Sequence, residues 1–143
     1  MKPRVVLDTN ILLDLFYFKD NSVTYLYECL KTEQVQAFTC ELIWEEFAEV
    51  LMRKPFDQSV EEIHGIRSSY QHVLTWQAPE KNNSGIKCRD QDDQIFVELA
   101  VEVAPCTLIT KDKDLLILQK KLQKFQVQTV KQYLPEKSVQ KTF

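Results

Sequence analysis

Apolar residues form short continuous runs along the chain, and these alternate with longer segments in which apolar residues recur every three or four positions. The short runs predict buried strands, because uninterrupted β-branched residues are typical of parallel sheets. Residues 4–8 (RVVLD) and 107–110 (TLIT) have this composition. Residues 36–39 and 125–130 are further candidates, and the last of them alternates between apolar and polar positions. The pattern therefore predicts four strands.

The segments between these strands carry the helical period. It predicts helices over residues 10–18, 22–30, 41–53, 59–76, 92–103 and 112–122. Pro55 ends the third of these, since proline disfavours helical geometry in the residue before it, and Gly65 interrupts the fourth. Strands that alternate with helices predict an α/β layer fold with a mainly parallel sheet.

One domain accounts for all of these elements. The 143 residues suit a single hydrophobic core, and the sequence contains no internal repeat. We expect the domain to span residues 1–143, with its core at about 4–133 and a frayed tail over 135–143. Residues 78–85 (APEKNNSG) form the clearest loop.

Composition excludes several classes of protein. No apolar run approaches the roughly 20 residues of a membrane helix, and Asp8 and Asn10 break the first apolar stretch, which lacks a signal-peptide cleavage site. We therefore expect a soluble, cytoplasmic protein. The chain has only two glycines, Gly65 and Gly85, so neither a P-loop nor a G-x-G-x-x-G nucleotide turn can be built.

The cysteines and histidines do not form a zinc site. His64 and His72 do not fit an H-E-x-x-H motif and are predicted on a helix surface. The four cysteines contain no C-x-x-C pair and fit no zinc-ribbon spacing. We expect reduced thiols, some of them buried, at Cys29, Cys40, Cys88 and Cys106.

Charge is unevenly distributed along the chain. The net charge of −3 gives no overall basic footprint for nucleic acid. From residue 107 to the end, however, the sequence contains eight lysines and only three acidic residues. This basic quarter is either a solvated face or a surface for nucleic acid, and the sequence leaves both interpretations open.

Acidic residues follow two of the predicted strands. Asp8 ends the first strand, and Asp112 and Asp114 come just after the strand TLIT. The carboxyl ends of parallel strands meet at one edge of a sheet, and ligands of open α/β folds bind there. We therefore expect these acids to lie at the same edge.

One glutamate on the helix over residues 41–53 also differs from its neighbours. Glu41, Glu45 and Glu49 share one face by their spacing and are predicted to be solvated. Glu46 instead lies at the edge of the apolar stripe, where a carboxylate is partly desolvated and needs a partner. The residues of that stripe are Ile43, Phe47, Val50 and Leu51.

The segment CRDQDDQIFVELA supplies a further inward-facing acid. Asp93 is followed by apolar residues at three, four and seven positions, which places it on the buried side of a helix start. Glu98 and Glu102 are predicted to form the polar face of that helix, and this argument constrains Asp90 and Asp92 less.

Two interpretations of these acids remain. Taken singly, Asp8, Asp92, Asp93 and Asp112 could each cap a helix. Capping does not explain Glu46, however, nor why the acids that follow strands share a sheet edge. Carboxylates this close repel each other unless a cation is bound, and ligands made only of oxygen select Mg²⁺ or Mn²⁺.

Four blocks of the sequence resemble a known family. VVLDTNILL, EEFAEVLMRKPF, CRDQDDQIFVELA and LITKDKDLL are similar, in order and approximate spacing, to the motifs of PIN-domain ribonucleases, and especially of bacterial toxin components of the VapC kind. The resemblance covers residues 4–133. It implies a three-layer α/β/α fold with a central parallel sheet, and an acidic cluster that binds Mg²⁺ or Mn²⁺ and hydrolyses single-stranded RNA.

The resemblance also assigns roles to individual residues. The acids that it implies for catalysis and metal binding are Asp8, Glu46, Asp93 and Asp112, with Asp114 as an alternative or additional metal ligand. Polar residues implied to support them are Thr9, Asn10 and Thr110. Gln94 departs from the pattern, because relatives often carry a third consecutive acid there.

The same resemblance implies partners. A homodimer and an antitoxin protein are expected, and five lysines are candidates for holding the RNA backbone: Lys111, Lys113, Lys120, Lys121 and Lys124. An alternative is a catalytically weak PIN-fold module that binds RNA or protein. A phosphatase of the haloacid-dehalogenase kind would need D-x-D after the first strand, and Asp8 is followed by Thr9 and Asn10.

Overall fold

The computed structural model describes residues 2–80 and 84–133, and it contains a five-stranded sheet. The predicted tail over 135–143 and residues 81–83 of the predicted loop lie outside the described residues. All the strand pairs are parallel. The strands are β1 (Arg4–Leu7), β2 (Gln36–Thr39), β3 (Leu74–Trp76), β4 (Cys106–Ile109) and β5 (Val127–Val130).

Helices fill the connections between the strands. They are α1 (Thr9–Leu13), α2 (Thr24–Lys31), α3 (Glu41–Met52), α4 (Val60–Val73), α5 (Gln94–Glu102), α6 (Lys113–Leu116) and α7 (Gln119–Gln123). A π-helical turn, Asp14–Phe18, extends α1, and short 3₁₀ turns at Asn21–Val23 and Gln91–Asp93 precede α2 and α5.

The strand order is β3-β2-β1-β4-β5, which creates a switch point between β1 and β4. From β1 the chain moves outward through β2 to β3, and it then crosses back to β4 and continues to β5. Because parallel crossovers are right-handed, the reversal places α1–α4 on one face and α5–α7 on the other. The predicted three-layer α/β/α fold is confirmed. Its ligand crevice is expected at the carboxyl ends of β1 and β4.

The predicted helix over residues 59–76 is wrong at its end. α4 stops at Val73, and Leu74–Trp76 forms β3 in parallel register with β2. Three residues are too short for a strand pattern to stand out against the helical period before them. Pairing of Ala37 with Leu74 in the sheet decides the conformation instead.

Two other predicted boundaries differ from the structure. The predicted helix over 112–122 is divided into α6 and α7 by a turn, although Leu115, Leu118 and Leu122 are all buried at helical spacing. That spacing fits a continuous helix equally well, so the sequence could not reveal the turn. The strand predicted over 125–130 begins at Val127, because Gln126 has a positive φ of 65°.

The core lies on both faces of the sheet. Val5 and Val6 of β1 are fully buried, as are Phe96 and Leu99 of α5. On the opposite face, aromatic rings from α3, α4 and the π-helical turn pack together: Phe16, Trp44, Phe47 and Tyr70. The four cysteines are buried free thiols, as predicted for at least some of them. Both histidines are exposed on α4, also as predicted.

Hydropathy of the helices bears on membrane association. In the part of the chain that the structure describes, no helix combines the length and apolar character needed to span a bilayer.

Ser59 is expected to stabilise the start of α4. Its side chain accepts a hydrogen bond from the Glu62 amide at 3.1 Å, and the Glu62 carboxylate accepts one from the Ser59 amide at 3.0 Å. Ser59→Ala should therefore lower the free energy of unfolding by about 1 kcal/mol, measured by urea denaturation. Ser59→Asp is the control, since aspartate also caps helices. Equal losses in both variants would contradict this role.

Candidate metal centre

Asp8 lies at the carboxyl end of β1 and is buried. Its Oδ1 accepts a hydrogen bond from the Ile11 amide at 3.0 Å, which caps α1, and its Oδ2 accepts one from the Thr110 hydroxyl. The backbone amide of Asp8 donates to Ile109 of β4 at 3.2 Å. Asp8 is thus both a helix cap and a side chain held at the switch point.

Thr110 connects the two strand ends. Besides donating to Asp8, its Oγ1 accepts a hydrogen bond from the Asp112 amide at 2.9 Å. Asp112 in turn caps α6, because its Oδ1 accepts from the Asp114 amide at 2.8 Å. One buried hydroxyl therefore positions both strand-end acids, as expected for a residue that supports the site.

Three carboxylates face one another beside these strand ends. Asp90, Asp93 and Asp114 each offer an oxygen, and the three atoms lie within 4.8 Å of one another. Asp93 and Asp114 are predicted site residues. Asp90 was not among them, although a signal for it exists: residues three apart eclipse each other in a 3₁₀ turn, and Gln91–Asp93 is such a turn. The predicted helix begins at residue 92, so it leaves the position of Asp90 relative to Asp93 open.

The remaining predicted acids surround this triple. Asp112 lies within hydrogen-bonding reach of Asp93, and it also interacts electrostatically with Asp8. Glu46 of α3 is half-buried and interacts with Asp90, Asp92 and Asp93. The structure therefore brings all five predicted acids into one interacting group across the crevice.

Burial and mutual repulsion raise the pKa values of three of these acids. Burial is the main cause that raises the pKa of Asp93 to about 8, and Asp112 adds a hydrogen bond to the protonated form and electrostatic repulsion of the charged form. Burial likewise raises the pKa of Asp8, against the hydrogen bond from Thr110, which lowers it. Burial also raises the pKa of Glu46, with Asp92 and Asp90 adding repulsion.

The cluster fits a hard divalent cation. Oδ2 of Asp93 is buried and has no hydrogen-bond partner among the described residues, and an unpaired buried oxygen is costly. Asp93 also makes no side-chain cap contact with α5 within that part of the chain. Carboxylates at this spacing are the donors that Mg²⁺ and Mn²⁺ prefer.

Thr9 and Asn10, the other predicted supporting residues, make fewer contacts with the acids than Thr110 does. Oγ1 of Thr9 is buried without a hydrogen-bond partner among residues 2–80 and 84–133, and Asn10 is exposed on α1. Thr110 alone of the three predicted supporting residues is hydrogen-bonded to a site acid in the structure.

The five predicted RNA-binding lysines are spread over the surface. Lys111 lies at the crevice, where its Nζ pairs with Asp14 at 2.7 Å while half of its side chain stays exposed. Lys113 begins α6 nearby. The three lysines of residues 120–124 lie on or just after α7, which leads to the start of β5, whereas the acids lie at the carboxyl ends of β1 and β4.

The prediction for Glu98 is wrong. Glu98 is buried, with 5% of its surface exposed, although Glu102 on the same helix is exposed as predicted. Its carboxylate accepts hydrogen bonds from Ser84, which precedes α5 by ten residues. Helical periodicity could not reveal this contact, because Ser84 lies in the loop before α5, 14 residues from Glu98.

Comparison with protein families decides the identity of the fold. A family model described as the PIN domain matches residues 4–114, well over half of the chain. The chain belongs to the PIN-domain family. The predicted family membership is confirmed, and the matched range of this PIN domain includes every acid of the site.

A solved structure supports the same fold. The PIN domain superimposes on a chain of the crystal structure of VapBC2 from Rickettsia felis bound to a DNA fragment from their promoter, with a TM-score of 0.61 and 14% identity. The match covers 88% of this chain and 98% of that chain. At this identity the likeness shows the fold alone. None of the curated proteins compared with the chain matches it in sequence.

The raised pKa of Asp93 predicts how the stability of the metal-free PIN domain depends on pH. The folded protein holds this proton up to about pH 8, whereas the unfolded chain releases it near the ordinary value of 3.8. The free energy of unfolding should therefore fall as pH rises from about 4 to about 8. Asp93→Asn should reduce this fall, measured by urea denaturation in EDTA at pH 5 and pH 8.

A control variant separates this effect from a general change in charge. Asp57 is exposed and has a positive φ of 46°, a conformation that asparagine also adopts readily. Asp57→Asn should keep the slope of the wild type. If Asp93→Asn keeps that slope as well, Asp93 does not retain its proton as described.

Proposed function

We propose that this PIN domain is a metal-dependent endoribonuclease that hydrolyses phosphodiester bonds of single-stranded RNA and serves as the toxin of a toxin–antitoxin pair. The observation that carries the proposal is the group of Asp90, Asp93 and Asp114 oxygens within 4.8 Å, with one buried oxygen of Asp93 unpaired. This group lies at the switch point of the sheet, where ligands of open α/β folds bind.

The surroundings of the acids suit them to two roles, which are metal binding and acceptance of a proton. Asp90, Asp93 and Asp114 are placed to hold a Mg²⁺ or Mn²⁺ ion, with Asp112 and Asp8 completing the negative field. A bound ion of this kind lowers the pKa of water and stabilises charge on the leaving oxygen of a phosphodiester. Glu46 and Asp93, whose pKa values burial raises, are the candidates for accepting the proton of the attacking water.

Substrate binding is proposed at the crevice beside these acids. Lys111 and Lys113 lie close enough to the strand ends to contact the RNA backbone, and such contacts give affinity that falls with salt. The lysines of residues 120–124 would contact only a longer RNA that continues along α7. Single-stranded RNA is the substrate class that the family resemblance implies.

An antitoxin partner rests on the structural likeness. The VapBC2 structure is one of an assembly bound to promoter DNA, and we propose that the present chain likewise pairs with an antitoxin protein in the cytoplasm. Homodimerisation stays a prediction from the family resemblance.

The decisive experiment is cleavage of a mixed pool of single-stranded RNA in Mn²⁺, Mg²⁺ or EDTA. Wild type should cleave only with metal, and Asp93→Asn and Asp8→Asn should each lose at least about 100-fold in rate, because each removes a charge that the transition state needs. Asp57→Asn should cleave like the wild type, since its side chain is exposed and makes no part of the acidic group.

Two other outcomes would refute the proposed mechanism or favour the alternative function. Cleavage that persists in EDTA or in both acid variants would refute the proposed mechanism and indicate a contaminating nuclease. A folded wild-type protein that binds RNA without cleaving it would favour the non-catalytic binding module.

Metal binding should also be visible in stability. At a Mn²⁺ concentration of about 100 times the dissociation constant, the free energy of unfolding should rise by about 2.7 kcal/mol, because the ion binds only the folded protein. Thermal denaturation with and without Mn²⁺ measures the effect. Asp93→Asn should lose most of the increase, and an equal increase in this variant would argue against Asp93 as a ligand.

A further inference from the structure

Two polar side chains on α5 hold the segment that leads to Asp90. Gln94 and Glu98 lie one helical turn apart, and Nε2 of Gln94 donates a hydrogen bond to Oε2 of Glu98 at 2.6 Å. Neither side chain belongs to the acidic group itself. Together they face residues 84–88, which run alongside α5 before the 3₁₀ turn begins.

Gln94 uses both ends of its amide. Its Nε2 also donates to the Ile86 carbonyl at 2.7 Å, and its Oε1 accepts from the Cys88 amide at 2.8 Å. A carboxylate at this position could accept from Cys88, but it could not donate to Ile86 and would repel Glu98. The contacts thus require an amide, which gives a structural reason for the departure from three consecutive acids.

Glu98 holds the beginning of the same segment. Its Oε1 accepts from the Ser84 amide and its Oε2 from the Ser84 hydroxyl, both at 2.8 Å. The Ser84 hydroxyl in turn accepts from the Ile86 amide at 3.1 Å. A buried carboxylate is costly unless hydrogen bonds compensate it, and these donors compensate Glu98.

The held segment connects directly to the acids. Cys88 precedes Asp90 by two residues, and its Sγ donates a weak hydrogen bond to the Asp114 carbonyl at 3.8 Å. Gln94 itself follows Asp93 without a gap. A shift of residues 84–88 would therefore move Asp90 relative to Asp93 and would loosen the contact with Asp114.

We propose that Gln94 and Glu98 are positioning residues that set the spacing of Asp90, Asp93 and Asp114 for cation binding. This inference rests on the proposed metal site and deepens it. Hydrogen-bonded neighbours of metal ligands commonly change metal affinity by about 10–100-fold when removed, because they fix the orientation of the ligands.

Gln94→Met tests the inference without changing the charge. Methionine has a similar shape and removes all three hydrogen bonds of the amide. The dissociation constant for Mn²⁺, measured by calorimetry well below the melting temperature, should rise by about 10–100-fold. Gln71→Met makes the same substitution at an exposed position of α4 and should leave that constant unchanged.

Glu98→Gln gives a second, independent variant in case Gln94→Met fails to fold. Its matched control is Glu102→Gln on the same helix, where Oε1 accepts from the Glu80 amide at 3.1 Å on the exposed surface. Both changes remove one negative charge from α5, but only Glu98 is buried against residues 84–88. Glu98→Gln should weaken Mn²⁺ binding by about tenfold or more relative to Glu102→Gln.

Amide exchange distinguishes positioning from a general loss of stability. The Cys88 amide, which donates to Gln94, should exchange faster in Gln94→Met while amides of the central strands keep their protection. A purely structural role would lower the melting temperature but leave Mn²⁺ affinity of the folded protein unchanged. That result in both variants would overturn the inference.

Mn²⁺ binding by the wild-type protein distinguishes failure of this inference from failure of the proposed function. If the wild-type protein binds no Mn²⁺, the proposed metal site fails and the positioning role fails with it. If the wild type binds Mn²⁺ and the two variants bind it equally well, the metal site stands and only the positioning role is overturned.

Discussion

The hydroxyl of Thr110 is the contact on which the site depends. It donates to Asp8 at the end of β1 and accepts from the amide of Asp112 after β4, and so it joins the two strands at the switch point. Parallel pairing of Leu7 with Ile109 brings these strand ends level. Without that pairing, the acids that follow the two strands would have no common edge.

Placing several buried carboxylates close together has an electrostatic cost. Burial and repulsion raise the pKa values of Asp8, Glu46 and Asp93, because the charged form of each is disfavoured in the metal-free site. A cation would relieve this repulsion at neutral pH. Backbone caps and the buried threonine hold these carboxylates close together without an ion.

Capping and site formation are compatible roles for the same side chain. Asp8 caps α1, Asp112 caps α6 and Asp90 caps the 3₁₀ turn, and all three also take part in the acidic group. Each cap uses one carboxylate oxygen and leaves the orientation of the side chain defined. Asp93 differs from them because its Oδ2 is buried without a partner among the described residues.

Local pattern was enough to determine the strand-end acids, the half-buried position of Glu46 and the α/β class, because these follow from the order of residues along single elements. Only tertiary structure decided β3, Asp90 and Glu98. β3 depends on pairing with β2, the place of Asp90 in the acidic group on the approach of Asp114, and Glu98 on a loop that covers it. Contacts between segments distant in sequence carry no periodic signal, since the partner that creates them lies outside the local pattern.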